Sequence, residues 1–137
     1  MKLERLEELN KISSRNVIVT EVMNSLEEKI FYTKYDIEVA LGLVILAFYG
    51  DKEIHKEMDR EDINWIEFID NNMHLVDDLK TGDYKDIYDE LYAEIEKLTD
   101  KMAEYNRSFS KAMDKIMAEL VKNGTLDKIL EEQKKAA

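Results

Sequence analysis

Residues 84–116 read YKDIYDELYAEIEKLTDKMAEYNRSFSKAMDKI, and one apolar seam runs through them: Tyr84, Tyr88, Leu91, Ile95, Leu98, Met102, Tyr105, Phe109, Ala112 and Ile116. The spacings alternate strictly between four and three, which is a heptad seam held for four and a half repeats without Pro or Gly. Such a stretch folds as one helix carrying a single sticky stripe. Asp83, with Asp86 three residues on, is the expected N-cap, and Asn123-Gly124 is the expected left-handed stop, giving a helix over 84–122.

A rod of that length is about 58 Å long, whereas a compact domain of this size is roughly 37 Å across. The molecule is therefore expected to be elongated, or the helix to project or to break at Asn106-Arg107-Ser108, where the residues are polar. Continuity is favoured because the seam keeps its phase there, slipping only at Leu120 and Val121 by a four-residue stutter.

The second informative stretch is Val39 to Tyr49, in which every residue is apolar or Gly. A helix that is apolar all round wants burial on every side. Eleven residues are too few to cross a bilayer, which needs about 20. Thr33 and Asp36 form a capping-box pattern in front of it and Gly50 closes it, so a central core helix over 34–49 is expected, with an oligomer interface as the alternative. Gly42 would let a neighbouring helix approach closely.

Around these two, weaker patterns place a short helix at Leu3–Ile12, a possible extended piece at Val17–Val19, and a helix at Thr20–Phe31. Further helices are expected at Lys52–Met58, at Ile63–Leu79 with Ile63, Ile66 and Ile69 as its core stripe, and at 126–135 behind Thr125. Asn71-Asn72 is a place for the Ile63–Leu79 helix to fray, and Leu126, Ile129 and Leu130 are expected to dock on the body. The fold expected is all-α: an elongated helical bundle with the long helix 84–122 packed around the apolar helix 34–49. It forms a single domain over 1–137, with the distal part of 84–122 and the last helix projecting. The 137 residues include no Pro and four Gly, which suits helices joined by short turns.

The net charge of -11 is unevenly placed: residues 1–50, 51–100 and 101–137 contribute -2, -11 and +2. An acidic middle repels nucleic acid and anionic membrane and attracts a basic protein. No Cys means no disulfide and no thiol chemistry. The charged N-terminus has no apolar signal core, so the cytoplasm is the expected compartment, or the virion if the gene belongs to a phage. The acidic, Lys- and Glu-rich texture resembles products of phages and mobile elements. Residues 123–130 are similar to the closing stretch of extracytoplasmic solute-binding proteins, a likeness that a helix stop followed by a helix start accounts for.

Little in the chain points to catalysis. The Glu-x-x-His signature of bundle metal sites is missing before His55 and His74, where Lys52 and Asn71 stand. No phosphate loop, nucleophile elbow or zinc motif occurs, so neither an enzyme nor a cofactor or metal is expected. Two functional classes remain. The first is a non-catalytic assembly or adaptor protein that meets another chain or its own copies through Trp65, Tyr105, Phe109 and Ile116. The second is an acidic inhibitor that mimics a line of phosphates with Asp77, Asp78, Asp83, Asp86, Asp89, Glu90 and Glu94. An antitoxin or chaperone-like partner of a basic protein is a weaker third.

Overall fold

In the computed structural model, which describes residues 1–27 and 32–136 (the backbone alone at Thr125, Leu126, Lys135 and Ala136), the core is organised by the apolar helix. Thr33 caps it: its hydroxyl accepts from the Asp36 N–H at 3.1 Å, and the Asp36 carboxylate accepts from the Thr33 N–H at 3.0 Å. The capped helix is Lys34–Tyr49, here α2, and Gly50 ends it. Ile37, Leu41, Ile45 and Leu46 are buried at helical spacing, while Ala47 and Phe48 reach the surface, so burial covers most of its circumference but not all. Gly42 lies where α4 comes close, with the flexible end of the Met73 side chain over the place a Cβ would take.

Ahead of α2 lies α1, Ile12–Ser25. Val17–Val19 is helical within it, since Ile18 and Val22, four apart, both fill the core, and packing outweighs β-branched propensity. The end expected at Phe31 is overtaken by Leu26, which closes the helix; Ile30 and Phe31 lie outside the described residues. The helix expected at Leu3–Ile12 is instead an extended start followed by a 3-10 turn at Leu6–Asn10. The reason is a competing set of bonds: Leu3 pairs with Gly50 in a lone antiparallel bridge, and the N–H groups of Glu4 and Asp51 donate to Tyr49 and Lys2 carbonyls at 2.6 and 3.0 Å. Leu9 is buried, whereas Ile12 is 82% exposed.

Asp51 caps α3, Lys52–Met58, by accepting from the Ile54 N–H at 3.1 Å. That bond, with the Lys2 N–H and the N-terminal amine behind it, holds the Asp51 carboxyl below the usual carboxylate range against a smaller opposing effect of burial. Next comes α4, Trp65–Asp77, capped by Asn64 and followed by a 3-10 turn at Asp78–Lys80. Its core stripe is Phe68, Asn72, Val76 and Leu79, not Ile63, Ile66 and Ile69; Ile66 is 75% exposed. Asn72 does not fray the helix, because its buried Nδ2 donates to the Phe68 carbonyl at 2.9 Å.

The long helix, α5, is unbroken over Lys85–Lys122, 38 residues or about 57 Å. Asp83 is not its cap: Tyr84 holds that position and makes no side-chain capping bond. α5 stops at Asn123 and Gly124, whose φ of 70° is left-handed, and α6, Thr125–Ala136, follows. Among the described residues the architecture is thus all-α, a bundle in which α1, α2 and the first half of α5 enclose the core and α4 packs on α2. No helix among them is long and apolar enough to cross a membrane.

Candidate interaction surface

Burial on α5 ends halfway along it. Tyr88, Leu91, Ile95, Thr99 and Ala103 are buried, and beyond Ala103 every side chain on α5 is half-buried or exposed. The buried line steps mostly by four and so leaves the heptad seam: Thr99 and Ala103 turn inward while Leu98 and Met102 stay half-buried. A straight helix of 3.6 residues per turn drifts about 20° per heptad from a 3.5-residue seam, which accounts for the shift. The bundle itself ends at the same level. The Tyr32 hydroxyl, two residues ahead of α2, lies 3.4 Å from the Met102 sulfur.

Among the described residues the α5 stripe is largely uncovered past that level, yet it continues. Tyr105, Phe109, Met113, Ile116, Met117 and Val121 are 40–69% exposed. The Tyr105 and Phe109 rings stack on each other with centroids 6.5 Å apart, so the two aromatics shield one another rather than being shielded by the bundle. α6 adds Ile129 and Leu130, exposed at 43% and 47%, which overturns their expected docking on the body; the Leu126 side chain lies outside the described part. We call α5 beyond Ala103, together with α6, the arm.

Of the expected contact residues, the structure brings Tyr105, Phe109 and Ile116 together on the arm. Trp65 stands apart on α4, half in contact with Phe68 edge to face at 5.7 Å. Met113, Met117, Leu120 and Val121 were not singled out by the seam. The signal for Met113, Met117 and Val121 was an i, i+4 ridge, 105–109–113–117–121, running beside it, and Leu120 lies four residues after Ile116.

The acidic candidates do not form one line. Asp86, Glu90 and Glu94 make an i, i+4 ridge on α5, but Glu90 pairs with Arg15 at 3.2 Å. Asp77 pairs with Lys80 at 3.0 Å, and Asp78, Asp83 and Asp89 are exposed on the turn between α4 and α5 or on another side of α5. Two cations thus interrupt the row. The ridge borders an open groove of about 560 Å3 between α1 and α5, with Val19, Met23, Leu91 and Leu98 in its floor and Glu90 and Glu94 in one wall.

Among the described residues no group of three or more His, Cys, Asp or Glu side chains is placed to share an ion, and His55 Nε2 sits 2.8 Å from the Ala47 carbonyl. Burial pushes the Tyr49, Tyr88 and Tyr92 phenols up, as low-dielectric surroundings disfavour phenolate. No family model, curated protein or solved structure matches the chain.

Proposed function

We propose that this protein is a non-enzymatic docking protein that presents the arm to another polypeptide. One observation carries the reading: eight large apolar side chains of α5 and α6 are 40–69% exposed beyond the end of the bundle. At roughly 200 Å2 for each such side chain fully exposed, they offer roughly 800 Å2. The largest apolar patch on an ordinary monomer is about 300–600 Å2, and a stable interface takes about 800 Å2 from each partner. Solvation alone disfavours leaving such a surface bare.

The reading is tested by capture from the native cell with the wild-type chain and with Phe109→Asp/Ile116→Asp, two changes on the exposed arm. Loss of a stoichiometric protein partner, with circular dichroism unchanged, supports it. Identical capture by both chains refutes it. The acidic-inhibitor reading is less favoured, because Arg15 and Lys80 interrupt the carboxylate row; binding abolished by molar salt and competed by nucleic acid would reinstate it.

A further inference from the structure

We infer that the polypeptide taken by the arm is a second copy of this chain, each arm lying in the α1/α5 groove of the other. This rests on the docking role proposed above and adds the identity of the partner.

The argument begins with the side of α5 on which the two features lie. Leu91 and Leu98 line the groove, and Tyr105 and Ala112 continue the arm's stripe; the four are seven residues apart, so they share one side of the helix. Groove and stripe are therefore two stretches of one apolar strip. In the body half, α1 walls the strip and makes it concave. In the arm half, no helix among the described residues walls the strip, and it is convex.

Arg15 of α1 pairs with Glu90 of α5, and Tyr32, seven residues past the end of α1, meets Met102, so α1 runs in the same direction as α5 and the groove between them extends lengthwise and accepts a helix laid along it. A concave and a convex stretch on one side of one rod are complementary under a two-fold axis. An axis crossing α5 near Arg107 and Ser108 turns each arm antiparallel onto the partner's groove. It also brings the two stacked Tyr105–Phe109 pairs together at the centre.

Charge favours the same arrangement. Residues 101–137 carry +2 and residues 51–100 carry -11, so laying an arm along a partner's body joins opposite signs, while the antiparallel sense keeps the two acidic bodies at opposite ends. Lys122 falls along the wall formed by the partner's Glu90 and Glu94. Because the contact is made twice, the buried area doubles the roughly 800 Å2 of one arm, the size of a standard specific interface. The contact closes on itself, leaving no free arm to propagate a polymer.

Sedimentation equilibrium over a wide concentration range tests the inference, with circular dichroism on every variant. Wild type is expected at twice the mass of one chain. Ile116→Asp on the arm and Thr20→Arg at the exposed lip of the groove are each expected to raise the dissociation constant at least about ten-fold with the helix signal unchanged. Glu94→Lys is expected to weaken the dimer and Glu94→Lys/Lys122→Glu to restore it. A monomer at all concentrations overturns the inference. A dimer that ignores Ile116→Asp overturns it too, and a dimer that Ile116→Asp breaks but Thr20→Arg does not overturns the groove as the acceptor. If the chain is monomeric yet loses a captured protein on Phe109→Asp/Ile116→Asp, the docking role stands and only the self-pairing fails.

Discussion

Ile95 and Phe109 sit two heptads apart on one seam of one helix, and the structure gives them opposite weights. Ile95 is fully buried between α1, α2 and α5, whereas Phe109 is 58% exposed. Ile95→Ala removes buried methyl groups and leaves a cavity, which costs about 2–5 kcal/mol. For a domain of this size each kcal/mol moves Tm by roughly 3–5 °C, so Tm is expected to fall by about 10–20 °C. Phe109→Ala removes a ring that the bundle does not cover and installs a better helix former, so its effect on the isolated chain is expected within about 0.5 kcal/mol.

The assay is thermal unfolding at 222 nm in dilute solution, where association contributes least. If Phe109→Ala lowers Tm as far as Ile95→Ala at the lowest concentration measured, the distal stripe is covered within its own chain and the arm does not exist. A Phe109→Ala effect that grows with protein concentration locates its cover in another molecule instead.

Three further outcomes follow from the packing. Thr33→Ala breaks the capping box in front of α2 and is expected to cost about 1 kcal/mol in a urea titration, with Asp36→Ala losing the reciprocal bond; no change in either would deny the cap its role. Tyr88 buries its hydroxyl with no hydrogen-bond partner among the described residues, so Tyr88→Phe is expected to be neutral or stabilising, and a loss above about 1 kcal/mol would reveal a bond there. The raised pKa values of Tyr49, Tyr88 and Tyr92 add a pH dependence. Unfolded tyrosines release their protons near pH 10, the folded ones only at higher pH, so stability is intact below pH 10 and falls above it, less steeply in Tyr88→Phe. Gly42→Leu is expected to cost more than about 2 kcal/mol by overpacking against Met73, whereas Gly42→Ala gains about 1 kcal/mol of helix propensity and moves only the flexible Met73 tip, leaving a small net change.

What the sequence made legible was local. Thr33 with Asp36, the bounds Lys52–Met58, and the stop at Gly124 each depend on residues a few positions apart, and each stands as expected. The misreadings are of orientation. At α4 two stripes overlap, Ile63–Ile66–Ile69, which starts just before the helix, and Phe68–Asn72–Val76, about a third of a turn away. Only the position of α2, with Met73 pressed on Gly42, decides between them.

The same holds at the N-terminus, where Leu3 answers to Gly50, forty-seven residues away. The helix α5 was legible along its whole length, and so was the exposure of its end in outline, but not the line it buries, which passes through Thr99 and Ala103 instead of Leu98 and Met102. Its division at Ala103 was not legible, because no residue of α5 itself marks where the other helices stop covering it. The groove behind the seam needs two helices side by side and has no signature in either one alone.

Because α5 is one uninterrupted rod, half anchored and half bare, its two ends share a single thermodynamic fate. A bare helix as short as the arm is marginal in water by itself, and the anchored half spares it the cost of nucleation. The linkage runs backwards as well: a molecule that grips the arm and not the unfolded chain adds about 2.7 kcal/mol to the stability of the entire protein at a hundred times its dissociation constant. Melting temperature thereby becomes a gauge of occupancy read far from the site of contact, and a loosened interior is felt as a weakened grasp.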